Sequence, residues 1–401
     1  MNAVHCLPFT TEFRAVKANT TLVEHDMARS KHLRAGANPH GPLALMEALR
    51  HGHPGQPDPK GVQHVSVLNA GVTYLASIGV GSPATTYNLL IDTGSSNTWI
   101  SAVEKRFTPT KTTHDTRKKF QIGYGKGDCS GEEFIDQVTL GPNLVIPQQS
   151  IGVANRASDM NGMDGILGIG PTGLTRGTTA DKAPVPTIMD NLVKDGTISQ
   201  ECIGIYYAPT TARPNELSGC LDIGGADSTK YTGKLDYMPI TKQSPASNYW
   251  GLEESIIYDG EEIMAHCAGI SDTGTTLVML PSQSFSRYME KTGAVMDETT
   301  GLLTVTDEQY ANMKSMMFKI NGVQYELTKN AQMWPRSMNS MLGGDMNKKY
   351  LVFANMGDIN IGDGLCFING YTMLQRFYSV YDTTNCQIGM ATTKHTMDET
   401  N

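Results

Sequence analysis

Two Asp-Thr-Gly triplets stand out in this chain. One lies in "IDTGSSNTW" at 91–99 and the other in "SDTGTTLVM" at 271–279, so Asp92 and Asp272 are 180 residues apart. At average residue usage, about one-tenth of one such triplet is expected in a chain this long. Each is followed by hydroxyl residues and preceded by a strand-like run. Two carboxylates within hydrogen-bond reach cannot both ionise easily, so one pKa rises and the pair shares a proton. One oxygen then takes a proton from water while the partner acid donates one, which is general acid–base activation of water. Thr93, Ser95, Thr273 and Thr275 supply hydroxyls that can hold carboxylates in place. Gly94 and Gly274 allow a tight turn and close backbone approach.

The elements that position these groups can be read around them. In "NLLIDTG", Leu89, Leu90 and Ile91 read as a buried strand that delivers Asp92. A carboxylate at the end of such a strand is costly to desolvate without a partner. The internal echo therefore predicts two similar lobes, each contributing one carboxylate to their interface. From Gly61 onward the pattern is β. Val72, Tyr74, Ala76, Ile78 and Val80 alternate with mostly smaller or polar residues, and "EEFIDQVTLGPN" and "CIGIYYAP" are further strands. Helices are few: "PTIMDNLVKDG" opens at Pro186 and stops at Gly196, and "TDEQYANMKSMMF" carries a capping box of Thr306 and Gln309. The expected class is mainly β, with two similar β lobes, a cleft between them and short accessory helices.

Length and charge agree with this. The chain has 401 residues, enough for two lobes, with 41 Gly and 19 Pro as in turn-rich β proteins. Net charge is −8, which gives no general basic field for nucleic acid. No apolar run approaches bilayer-spanning length, and the polar C-terminus lacks a lipid-anchor signal. The N-terminus lacks the apolar core of a secretory signal, so either the chain stays inside the cell or a signal has been removed. Seven Cys are scattered without metal-type pairs, and neither a metal nor a cofactor is expected. Cys202 and Cys220 flank a hairpin and could form a local disulfide; the plainer reading is two small buried side chains.

Residues 1–60 differ from the rest. They hold six of the ten His and a formal charge of +2, against −10 for the remainder. "GPLALMEALRHG" has the spacing of a short amphipathic helix, and "HGHPGQPDPK" at 51–60 reads as a linker. The expected division is a basic, His-rich segment with linker (1–60), an N-terminal lobe (61–240) and a C-terminal lobe (241–401).

The motifs taken together resemble the pepsin family of aspartic peptidases, and most closely the basidiomycete polyporopepsin group. The resemblance covers about residues 61 to 395. It rests on "GVGSPATTYNLLIDTGSSNTW", "DGILGIGP", "SPASNYWG", "ELTKNAQMWPR" and "FINGYTMLQRFYSVYDTTN". It implies a bilobal fold and an acid endopeptidase made as a zymogen, here without its signal peptide. Asp92 and Asp272 would be the catalytic dyad, with Thr93 and Thr273 cross-bracing the two loops and Ser95 and Thr275 contacting the carboxylates. Tyr124 matches the flap tyrosine, Trp99 its hydrogen-bond partner, and Gly125 the bend of the flap tip. Protein or peptide substrates would lie extended in the cleft. Sensitivity to pepstatin-type inhibitors, a monomeric state and a secreted or vacuolar location are further implications.

Some positions depart from the family pattern. Lys126 sits where flaps usually carry Thr or Ser; it is either a solvated flap-tip charge or a group that favours an acidic substrate side chain. Cys129 is also on the flap, and Ser271 takes the usually apolar place before the second Asp. The N-terminal segment resembles a propeptide whose positive side chains cover the cleft. Acid would loosen it, as body carboxylates become neutral and its His become charged. The rival readings are a catalytically weak or inactive binding or inhibitor protein on the same scaffold, and another two-carboxylate hydrolase such as a glycosidase.

Overall fold

The structure of the chain, a computed structural model, describes residues 4–13, 21–36, 72–101, 105–124, 128–158, 162–209 and 217–400. The strands of the first half are β1 His5–Phe13, β2 Val72–Val80, β3 Thr85–Asp92, β4 Thr98–Ile100, β5 His114–Gly123, β6 Asp128–Gly141, β7 Leu144–Ala157, β8 Gly165–Gly168, β9 Cys202–Tyr207, β10 Leu217–Ile223 and β11 Thr232–Pro239. They form one sheet of thirteen strands, together with Phe377–Asp382 and Gln387–Thr392 from the far end of the chain. Its order begins with β11, passes through those two C-terminal strands, and continues β9, β10, β1, β2, β3, β8, β4, β7, β6, β5. A second, seven-stranded sheet is built around β12 Gly251–Tyr258, β13 Glu261–Ser271 and β14 Val278–Leu280.

The echo in the sequence is an echo in topology. β3 runs parallel to β8, with Asp92 opposite Gly168, and β4 then pairs antiparallel to β8 and parallel to β7. In the second half β13 runs parallel to Ile368–Asn369, and β14 then pairs antiparallel to that strand and parallel to Phe353–Asn355. Each carboxylate is therefore launched from a central, doubly paired strand. The period-two pattern explains the burial: Tyr74, Ala76, Ile78 and Val80 on β2 all face the core, as do Leu89 and Ile91 on β3.

The helix α1, Leu22–Ala35, was not legible as one of the predicted helices. Its start is a capping box between Thr21 and Glu24, and Gly36 closes it at φ 60°. The helix Ile188–Lys194 is capped by Thr187 with Asp190 and followed by Gly196 at φ 71°. The Thr306 and Gln309 box is present, but its helix, Asp307–Asn312, is short and Met316–Ile320 becomes a strand. The predicted helix at 41–52 and the linker at 51–60 lie outside the described residues.

The possible Cys202–Cys220 bridge is absent; both thiols are free and buried, in keeping with the plainer reading. β9 and β10 do form the predicted antiparallel pair, but the register sets Cys220 opposite Tyr206, and the chain leaves Cys202 opposite Gly224. That stagger of four residues along the hairpin keeps the two sulfurs apart.

Candidate active site

The two Asp-Thr-Gly loops meet at the junction of the two halves. The Thr93 N–H donates to Thr273 Oγ1 at 3.0 Å, and the Thr273 N–H donates to Thr93 Oγ1 at 2.9 Å. Each hydroxyl then donates across the junction, Thr93 to the Ser271 carbonyl at 3.2 Å and Thr273 to the Ile91 carbonyl at 2.9 Å. Four reciprocal bonds lock one loop against the other with every polar atom satisfied. Gly168 fits behind the first loop because a Cβ there would meet the backbone of Ser96 and Asn97 at 2.5–2.7 Å.

Each carboxylate is fully buried and held from its own loop. Asp92 accepts from the Gly94 N–H at 2.9 Å and from Ser95 Oγ at 2.6 Å. Asp272 accepts from the Gly274 N–H at 3.1 Å and from Thr275 Oγ1 at 2.5 Å. The two glycines are obligatory for approach: a Cβ on Gly94 would stand 2.5 Å from Asp272 Oδ1, and one on Gly274 would stand 2.6 Å from Asp92 Oδ1. Ser271, in the usually apolar place, is buried and shares a 2.6 Å hydrogen bond with the Tyr381 hydroxyl.

Tyr124 directly follows β5, near enough for the Asp92 and Arg29 charges to act on its hydroxyl. Its hydroxyl accepts from Trp99 Nε1 at 2.6 Å, with the rings 6.2 Å apart. Both are buried in a small cluster with Phe120, Ile122 and Cys129. Burial pushes the Tyr124 hydroxyl and the Cys129 thiol well above their ordinary values, so neither ionises readily. Gly125 and Lys126 lie outside the described residues.

The largest surprise is a third charge. Arg29 of α1 reaches both carboxylates: its Nη2 donates to Asp92 Oδ1 at 2.7 Å and to Asp272 Oδ1 at 2.8 Å, and its Nε donates to Asp272 Oδ2 at 2.7 Å. The contact with Asp272 is a two-pronged fork. Burial pushes the Asp92 carboxyl above its ordinary value, with the Asp272 charge adding to that push and Arg29 opposing it. Burial also pushes Asp272 upward, but the Arg29 charge and its hydrogen bonds outweigh it and hold Asp272 below its ordinary value. The guanidinium is itself raised, because the two carboxylates outweigh its own burial.

α1 is fastened on both sides of Arg29. Asp26 is fully buried and accepts from the N–H groups of Thr276 at 3.0 Å and Leu277 at 2.7 Å. The Tyr249 hydroxyl donates to the Leu33 carbonyl at 3.2 Å. His32 lies beside the end of β5: a Cβ on Gly123, the last residue of that strand, would stand 3.7 Å from its ring. The basic segment was expected over a cleft, but the particular residues were not read. The signal was present in Thr21-x-x-Glu24 and Gly36, which frame a helix with Arg29 on one turn and Asp26 on the turn before.

Comparison with known proteins agrees with this geometry. The family "Eukaryotic aspartyl protease" matches residues 73–393. Polyporopepsin of Irpex lacteus is 49% identical over 340 residues, spanning 84% of this chain and 99% of the relative. Gastricsin of Oryctolagus cuniculus is 30% identical over 337 residues, 79% of this chain and 81% of its own. The crystal structure of the aspartic proteinase from Irpex lacteus superposes with a TM-score of 0.78 at 49% identity, covering 82% of this chain and 96% of the other. The chain thus has the bilobal, mainly β pepsin-like fold, belongs to the eukaryotic aspartyl protease family and is an aspartic endopeptidase, a hydrolase of peptide bonds.

Proposed function

We propose that this chain is the self-blocked zymogen of an acid endopeptidase in which Asp92 and Asp272 together activate one water. The observation that carries the reading is the single guanidinium of Arg29 within 2.8 Å of both carboxylates. Loops separated by 180 residues deliver two acids to one point, and a cation fills that point. With Arg29 withdrawn, two buried carboxylates face each other without a counter-charge. One of them then takes up a proton at mildly acid pH, and the pair becomes acid and base at once.

The ionised partner removes a proton from a water held between the two, and the hydroxide attacks the scissile carbonyl carbon. The protonated partner donates to the carbonyl oxygen, giving a tetrahedral diol. Its collapse returns a proton to the leaving amide nitrogen and frees two peptides. Ser95 and Thr275 hold the outer oxygens so that the inner ones face the water. Thr93 and Thr273 keep the loops in register through the cycle. Tyr124, steadied by Trp99, covers the bound substrate. Asp26 now occupies the Thr276 and Leu277 N–H groups, and an extended peptide would use the same donors.

Residues 1–60 are the blocking segment and linker, with lobes at 61–240 and 241–401. The product of activation would be a monomeric, pepstatin-sensitive enzyme acting on protein or peptide substrates, secreted or vacuolar. The test is mass-spectrometric mapping of cuts in a peptide mixture at acid pH, with Asp92→Asn as control. We expect parent cleavage only after processing between Gly36 and Val72, immediate cleavage by intact Arg29→Ala, and none by Asp92→Asn. Undiminished cleavage by Asp92→Asn would remove the proposal and leave a different catalytic centre. No cleavage by any form would leave an inactive binding protein on the same scaffold.

A further inference from the structure

The other half of the blocking segment is strand β1, and it carries Cys6 into the body. β1 is an interior strand, paired with β10 on one side and β2 on the other. Its register sets Cys6 opposite Asp222 and Pro8 opposite Cys220. Cys6 and Cys220 are therefore diagonal neighbours on one sheet face. Their sulfurs and an Asp222 carboxylate oxygen lie within 4.8 Å of one another, and the Cys220 thiol donates to Asp222 Oδ1 at 3.5 Å. Cys6 is exposed while Cys220 is buried. Lys230 stands at the same point, its Nζ 2.7 Å from Cys220 Sγ and paired with Asp222, which also accepts from the Tyr378 hydroxyl at 2.7 Å. The resident ammonium occupies the place a metal cation would take, so the cluster is better suited to thiol chemistry than to metal binding.

We infer that Cys6 and Cys220 form a disulfide that ties the blocking segment to the enzyme body after the chain has been cut. This rests on the zymogen reading above. The exposed Cys6 thiolate attacks an external disulfide, either a small-molecule disulfide or a disulfide oxidoreductase, and releases one external thiol. Cys220 then loses its proton to solvent and displaces the second external thiol from Cys6. The two protein sulfurs lose two electrons between them, and the external disulfide gains them. Lys230 stabilises the Cys220 thiolate at that step. In the resting state burial first, and the neighbouring Cys6 thiol second, hold the Cys220 thiol above its ordinary value. Cys220 is buried while Cys6 is open to an external disulfide, so Cys6 attacks and Cys220 resolves. The sulfurs must still close to bonding distance. Cys6 is the second residue of its strand, where the backbone can shift to allow it.

The tether changes what a cut achieves. A break between Gly36 and Val72 frees residues 1–36 from the body's own chain, yet the disulfide would keep β1 in the sheet and α1 beside its cleft. Arg29 then rebinds as an intramolecular group, at the high effective concentration of a tethered ligand. Full activation needs reduction of the bond, or a second cut between Phe13 and Thr21.

The test uses the full-length chain, oxidised with glutathione disulfide and cut between Gly36 and Val72 by acid or an added endopeptidase. Intact mass and peptide mapping follow, with and without a phosphine reductant that works at acid pH. We expect the 1–36 fragment to stay with the unreduced body and to leave after reduction. Peptide cleavage at mildly acid pH should then rise by on the order of a hundredfold. Cys6→Ser, at an exposed site, should lose its fragment without reductant. Loss of the fragment from unreduced parent, or mapping that finds Cys220 free or joined to Cys202 after oxidation, overturns the tether. Failure of the zymogen reading looks different: uncut chain would then cleave peptides as fast as cut, reduced chain, whatever the mass result.

Discussion

Behind the second loop, Glu254 and Asn369 form a polar pair that the reaction itself does not use. Glu254 is fully buried on β12 and accepts from Asn369 Nδ2 at 2.8 Å. Its other oxygen, and the Asn369 amide oxygen, have no other hydrogen-bond partner. Two leftover acceptors on adjoining groups are reconciled by one proton on Glu254. Burial, only partly opposed by Asn369, pushes the Glu254 carboxyl from its ordinary 4.5 up to about 8. The Asn369 carbonyl accepts the Asp272 N–H at 3.1 Å, so this pair braces the active-site strand. The linkage has a definite sign. Below about pH 4.5 the folded and unfolded states are both protonated, while from there to about 8 only the folded state keeps its proton. Stability therefore falls as pH rises through that window. Glu254→Gln supplies both a donor and an acceptor without a titration. We expect it to be more stable than the parent at pH 7 by on the order of 3 kcal/mol, with the advantage gone at pH 4.5. Urea unfolding at the two pH values measures this, and an equal difference at both would refute it.

At the scale of elements, α1 behaves as a pH-sensitive plug as well as a steric one. His32 of α1 is lowered to about 4 by burial first and the Arg29 charge second. A base depressed in the docked state favours docking when neutral. That contribution is whole above about pH 6.5 and is lost as pH falls toward 4. The Arg29 contacts with Asp92 and Asp272 weaken in the same direction when a carboxylate takes up a proton, so two acid triggers converge on one helix. His32→Gln should keep the plug docked but remove one of them. The slope of log activation rate against pH between 6.5 and 4 should fall by about one proton's worth, measured by appearance of processed chain over time. A slope equal to the parent's would show that His32 carries none of the response.

Over the whole molecule, the blocking segment is a structural part as much as an inhibitor. β1 fills an interior place in the thirteen-stranded sheet, and its Leu7 and Phe9 are buried in the main core. Phe9 packs at steep angles against Tyr74 and Tyr207, with ring separations of 5.1 and 5.8 Å. While it folds, a chain without β1 has two unpaired strand edges, on β2 and β10, and an open core between them. A chain starting at Ala37 should therefore refold in low yield and scatter light on dilution from denaturant, while the full chain refolds. Comparable yields would mean that another segment fills the gap during folding.

Local chemistry was enough to make several features legible. The twin Asp-Thr-Gly loops, their hydroxyls and glycines, the mainly β class and the capping box at Thr306 depend on residues within a few positions of one another. The family likeness rests on the same local motifs. What could not be read depends on contacts between distant parts of the chain. Arg29 is an ordinary surface cation until a helix places it between acids 63 and 243 residues away. Glu254 is an ordinary strand acid until Asn369, 115 residues on, removes it from water. Which sulfur lies beside Cys220 could not be read, because strand register, not proximity in sequence, sets Cys6 near it and leaves Cys202 apart. The sequence by itself determined which groups could do chemistry. The tertiary structure alone decided which of them are desolvated together, because burial and register are properties of the packed sheets and belong to no single segment.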